Sequence, residues 1–133
     1  MKLLDSTFII DLLNKDSGAI AKVEREKNVD FFITDLSIYE VALGINRLDD
    51  KQKIIRSLAI FKELIQDLYC LSLTSMASFK AAEIKVNLIK KGVTIDDIDC
   101  LIAAIGIINK ISVIITRKVK HFSPIGQITV ETY

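Results

Sequence analysis

Lys2-Leu3-Leu4-Asp5-Ser6-Thr7 opens the chain with an apolar run too short for a helix. At Asp5 it gives way to a segment whose apolar residues Phe8, Ile9, Leu12 and Leu13 share one helical face. The same change recurs twice: Phe31-Phe32-Ile33-Thr34 leads to Glu40 in a helical pattern, and Asp99 heads the apolar run Leu101-Ile102-Ala103-Ala104. Strands alternating with helices predict a parallel sheet covered on both faces. In such a sheet, ligands bind beyond the carboxyl ends of the strands, so acids at separate strand-to-helix junctions converge although they are distant in sequence. Converging carboxylates repel one another, and a hard divalent cation such as Mg²⁺ or Mn²⁺ relieves the repulsion through the oxygen ligands it prefers.

Outward from these junctions, short apolar segments predict strands at Lys2–Leu4, Phe31–Thr34, Tyr69–Leu73, Ser112–Thr116 and Gln127–Thr132. Helical spacing marks Ser6–Asn14, a short, mostly exposed helix around Ile20 and Val23, Ser37 to about Leu48, Lys51–Gln66 and Ser75–Lys91. The last of these ends at Gly92, a residue favoured just past a helix terminus. Asp96–Asn109 is apolar nearly all round and is expected to be the central buried helix. The expected fold class is α/β, a three-layer α/β/α sandwich around a central, mostly parallel sheet of four to five strands.

The 133 residues suit one domain, 1–133, with no repeat or low-complexity tract and only one proline, Pro124. Half the residues are hydrophobic, which excludes a disordered chain. Eighteen basic residues nearly balance seventeen acidic ones, so a polyanion site must come from local arrangement and not from overall charge. Asp5 interrupts what would be the apolar core of a signal peptide, and no apolar stretch reaches the roughly 18 residues of a spanning helix. A cytoplasmic protein with no membrane association is expected. Cys70 and Cys100 lack zinc-site spacing and sit among apolar neighbours, so both are expected as buried, reduced thiols.

Each acid also has an ordinary structural explanation. Asp5 or Ser6 can cap the following helix. Ser37-Ile38-Tyr39-Glu40 fits a capping box in which Glu40 reaches back to the Ser37 backbone. Asp96, Asp97 and Asp99 suit the positive end of a helix dipole. The set of three acidic junctions is what favours a site. Other chemistries lack support: there is one histidine, His121, no Gly-x-Ser-x-Gly elbow and no glycine-rich phosphate loop. A phosphoaspartyl phosphatase wants Asp-x-Asp on the first strand, where position 7 is Thr7, and a receiver domain wants an acid ending the third strand, where Leu71-Ser72-Leu73-Thr74 offers none.

The residues resemble the PIN-domain ribonucleases, and within them the VapC-type toxins of prokaryotic toxin–antitoxin pairs. Leu4-Asp5-Ser6-Thr7 is similar to that family's opening, Leu-Asp-Thr/Ser-Asn/Ser after a strand. Ser37-Ile38-Tyr39-Glu40-Val41-Ala42-Leu43-Gly44 resembles its Ser-x-x-Glu-Leu-x-x-Gly, and Asp97-Ile98-Asp99-Cys100-Leu101-Ile102-Ala103-Ala104 its Asp-x-Asp-x-Leu-Ile-Ala-Ala. The fourth block, Thr116-Arg117-Lys118-Val119-Lys120-His121-Phe122, departs from Thr-Arg-Asn-x-x-Asp-Phe: Lys118 and His121 stand where the family often places a further acid.

The resemblance implies a PIN fold, a divalent metal, Mg²⁺ or Mn²⁺, held by Asp5, Glu40 and Asp99, and hydrolysis of RNA phosphodiesters. It also implies a cognate antitoxin that fills the cleft, and a homodimer. The alternative is a degenerate PIN domain that binds RNA or a protein without cutting. Asp97 is the candidate substitute for the missing acid. On a regular helix it diverges from Asp99 by about 200°, so it joins only if the helix starts after it. Ser6 and Thr116 are expected to orient the acids through hydrogen bonds. Arg117, Lys118 and Lys120 are expected along the same rim, holding the RNA backbone. The helices between residues 37 and 65 are apolar enough to form a dimer face or to receive a partner's helix.

Overall fold

The computed structural model describes residues 1–133. In chain order the elements are β1 (Lys2–Leu4), α1 (Ser6–Leu13), α2 (Ser17–Arg25), β2 (Phe31–Thr34), α3 (Asp35–Asn46) and α4 (Lys51–Gln66). They continue with β3 (Tyr69–Leu71), α5 (Ser75–Lys90), α6 (Asp97–Ile108), β4 (Val113–Ile115), α7 (Val119–Phe122) and β5 (Thr129–Glu131). The five strands form one sheet in the order β3-β2-β1-β4-β5, and every pairing is parallel. This is the expected α/β architecture, with all strands parallel where "mostly" was anticipated.

Alternation along each strand divides the core into two layers. Leu3 and Ile114 point to one face and pack with α5 and α6, while Leu4, Ile33 and Ile115 point to the other and pack with α1, α3 and α4. In α6, Ile102, Ala103, Ala104 and Ile105 are wholly buried, as its all-round apolar character predicts. Burying a side chain such as Ile102 contributes about 1.5–3 kcal/mol relative to exposure. Gly106 is required where α6 crosses the sheet, since a Cβ there would meet the Ile111 carbonyl at 3.0 Å and Leu3 Cδ2 at 3.2 Å.

Helix ends follow local chemistry. Gly92, with φ +72°, ends α5 in a left-handed turn in which the Val93 N–H donates to Leu88 O at 2.9 Å and the Gly92 N–H to Ile89 O at 3.0 Å. Lys110, φ 61°, makes the same turn after α6 without glycine's freedom, with the Ile111 N–H donating to Gly106 O at 2.8 Å.

Three expectations need correction. The helix expected from Ser37 starts at Asp35, because Thr34 ends its strand in an extended conformation and its Oγ1 accepts the Ser37 N–H at 3.0 Å. Thr34 is therefore the cap, and Ser37 does not head a capping box with Glu40. Cys70 is exposed, because β3 is an edge strand; only Cys100 is buried. The short helix α7 was not anticipated. No helix is long and apolar enough to cross a membrane.

Candidate metal centre

The sheet brings β1, β2 and β4 side by side, so the junctions after β1 and β4, the second turn of α3 and the first turn of α6 meet at one edge. Asp5, Glu40 and Asp99 converge there, each offering a carboxylate oxygen within 4.8 Å of the others. Asp5 and Asp99 are fully buried, and Glu40 is half-buried.

Asp5 serves as helix cap and site residue at once. Its Oδ2 accepts from the Thr116 hydroxyl at 2.7 Å, the Thr7 hydroxyl at 2.8 Å and, more weakly, the Thr7 N–H at 3.4 Å. Thr7 and Thr116 lie 3.2 Å apart, hydroxyl to hydroxyl. Buried Thr116 closes β4 as Asp5 closes neighbouring β1, which is why a residue 111 positions away can fix the carboxylate. Ser6 Oγ sits 3.5 Å from Asp5 Oδ1, a long contact.

Asp99 is held from both sides. Lys118 Nζ lies 2.9 Å from its Oδ1, and His121 Nδ1 lies 2.5 Å from its Oδ2. The same ammonium is 3.5 Å from Glu40 Oε1. Burial opposes the Lys118 charge, but Asp5, Asp99 and Glu40 outweigh it and hold the amine above the usual lysine range. Burial pushes the Glu40 carboxyl up; Lys118 and Ser6 pull it down, and the Asp5 and Asp99 charges add to the rise. Glu40 Oε2 is buried with no hydrogen-bond partner.

The remaining candidates lie elsewhere. Asp97 is the first residue of α6, so the helical turn separates it from Asp99; it is 82% exposed and pairs with Lys85 at 3.1 Å. It does not supply the missing fourth acid. Lys118 does not line the rim but folds into the pocket, because three carboxylates attract its flexible chain. Arg117 pairs with Asp11 at 2.9 Å and is largely exposed, while its N–H donates to Thr7 Oγ1 at 3.1 Å. Lys120 is exposed.

Two contributors were missed. Thr7 follows the Leu-Asp-Ser signature directly, and its hydroxyl two residues after an acid at a helix start was the available signal. The other is His121, which the sequence marks only as a departure from the family's acid and which contacts Asp99 through Nδ1. Asp96, Asp99 and His121 also bring ligand atoms within 4.8 Å of one another.

The donor set of the triad fits a hard divalent ion. It contains only carboxylate oxygens, and one buried oxygen, Glu40 Oε2, has no donor of its own.

The PIN domain family model matches residues 2–119. The chain belongs to the PIN-domain family. Solved structures with the same fold include VapBC2 from Rickettsia felis bound to a DNA fragment from its promoter, at 24% identity and a TM-score of 0.84 over 99% of this chain and 98% of that one. FitAcB from Neisseria gonorrhoeae is similar at 19% identity and a TM-score of 0.86, over 98% of this chain and 96% of that one. VapC20 from Mycobacterium tuberculosis, described as a sarcin-ricin loop cleaving toxin, aligns at 16% identity and a TM-score of 0.67 over 86% of this chain and 87% of that one. No curated protein matches the sequence.

Proposed function

We propose that this PIN domain is a divalent-metal-dependent endoribonuclease, the toxin of a VapBC-type pair, acting on RNA in the cytoplasm. The observation that carries this reading is the convergence of Asp5, Glu40 and Asp99 around an unsatisfied buried oxygen. Family membership and the toxin–antitoxin complexes among its structural relatives support it.

Asp5, Glu40 and Asp99 would hold Mg²⁺ or Mn²⁺, which when bound supplies activation of a water and charge stabilisation at the scissile phosphate. Thr7 and Thr116 keep Asp5 oriented, and His121 does the same for Asp99. Ser6, close to Asp5, contributes to that orientation. Arg117 and Lys120, both exposed beyond β4, hold the RNA backbone and supply affinity without sequence preference.

A cavity of about 250 Å³ between α1, α3 and α4, lined by Ile10, Leu13, Val41, Ile45, Leu48 and Ile60, suits the apolar face of an antitoxin helix. Met76, Phe79, Val86 and Ile89 on α5 are all exposed and suit a homodimer contact.

The test is Mn²⁺-dependent cleavage of a structured RNA by wild type, Asp5→Asn and Asp99→Asn. Wild type should cut and both variants should lose at least a hundredfold; equal activity across the three removes the nuclease reading. The second reading, a PIN domain that binds without cutting, is favoured by one observation, the Lys118 ammonium in the carboxylate pocket. Its signature would be RNA retention by all three proteins with no cleavage.

A further inference from the structure

Lys118 is the one basic side chain that reaches two of the three converging carboxylates, at 2.9 Å from Asp99 and 3.5 Å from Glu40. The position is built and not incidental. Its backbone N–H donates to Thr116 Oγ1 at 2.9 Å, the same hydroxyl that holds Asp5, so the root of the lysine is tied to the pocket wall. Its side chain is about three-quarters covered, on four carbons flexible enough to enter or leave.

Oxygen ligands surround a divalent ion at roughly 2.0–2.6 Å. An ammonium in direct contact with Asp99 and close to Glu40 occupies much of the same space, and its charge opposes a second cation. We infer that Lys118 is a tethered cation that neutralises the acidic pocket in the metal-free protein and competes with the divalent ion for it. The inference rests on the metal-centre reading above and deepens it. A divalent ion enters only as the ammonium swings out, so the affinity for the ion is set by the cost of that exchange. The metal-free pocket, in turn, is not left with three uncompensated carboxylates. Asp99 remains held through its other oxygen by His121 during the exchange.

The experiment measures Mn²⁺ binding to the full chain by calorimetry and by Mn²⁺ electron paramagnetic resonance, with no RNA present. Wild type is compared with Lys118→Met, Lys118→Gln and Lys118→Arg. The Met and Gln variants should bind Mn²⁺ at least tenfold more tightly than wild type, and Arg should remain weak. In chelator the Met variant should melt below wild type, and added Mn²⁺ should raise its melting temperature by more than it raises that of wild type. The gained binding should vanish when Asp5→Asn is added to Lys118→Met. Lys118→Gln keeps a polar side chain and guards against a folding defect in the Met variant. Equal affinity in wild type, Met and Gln overturns the inference alone and leaves the metal centre standing. No Mn²⁺ binding by any of them overturns the inference and the metal centre together. Cleavage is assayed separately, so a chain that binds Mn²⁺ as described but cuts no RNA fails only as a nuclease.

Discussion

The Thr116 hydroxyl donates to Asp5 Oδ2 at 2.7 Å across the β1–β4 pairing, joining residues 111 positions apart. Thr116→Val keeps the shape and removes that donor, together with the acceptor for the Lys118 N–H. Stability should fall by about 1–2 kcal/mol, and Mn²⁺ affinity by about 10–100-fold. Thr116→Ser should retain most of both; urea unfolding and calorimetry check the pair.

Asp97 and Asp99 lie two positions apart in the sequence and in different environments in the structure. Asp97→Asn should change RNA cleavage by less than about twofold, because it removes only an exposed pairing with Lys85. Asp99→Asn should abolish cleavage. Initial rates on one RNA substrate distinguish them, and a large loss in Asp97→Asn would show that the carboxylate reaches the pocket in solution.

Lys2, Lys22, Glu26 and Glu131 form a partly buried charge network linking β1, α2 and β5, with contacts of 2.7–2.9 Å. Burial alone would push Glu26 up, but Lys2 and Lys22 outweigh it and hold the carboxyl below its usual range; the hydrogen bonds from Lys2 and Lys22 lower Glu131. Burial alone would lower both lysines, and the two glutamates outweigh it and raise them. Depressed carboxyls contribute stability that is present above their unfolded value of 4.5 and lost as pH falls through the folded one. Raised lysines contribute stability that is full below 10.5 and lost as pH rises through their folded value. The network should therefore act fully between these limits. Lys2→Met should cost about 1 kcal/mol at pH 7 and flatten the acid limb of the stability profile, measured by denaturant unfolding from pH 3 to 8.

Lys110 holds φ 61° at the end of α6, a conformation that suits glycine. Lys110→Gly should raise stability by about 0.5–1 kcal/mol, seen as a higher urea midpoint with an unchanged slope.

Phe79 is 81% exposed on α5. If that face joins two copies, Phe79→Lys should convert a dimer to a monomer in sedimentation without altering the circular dichroism. A monomeric wild type would remove the assignment of this face.

Asp5 and Glu40 were legible because each lies at or just beyond a strand-to-helix junction, and a parallel sheet places such junctions on one edge; Asp99, whose helix follows α5 and not a strand, was legible only as the acid heading an apolar run. Binary patterning likewise exposed α6, whose residues are apolar all round. What the sequence withheld was direction. The path of the Lys118 side chain is set by charges contributed from residues 5, 40 and 99, and no local pattern encodes it. Four residues, Val119–Phe122, are too few for a helical period, so α7 passed unnoticed. Cys70 reads as buried because its neighbours are apolar, yet an edge strand leaves it open to solvent.

The middle strand of the sheet is made first and receives its second neighbour late. A ribosome that has translated as far as the end of α5 has made Asp5 and Glu40 but neither Asp99 nor Thr116, and β1 still lacks β4. Domains fold during synthesis only as far as the emerged chain allows. The pocket thus lacks Asp99, and Asp5 its Thr116 partner, until the last third of these residues has emerged, a delay that topology imposes on the newborn protein.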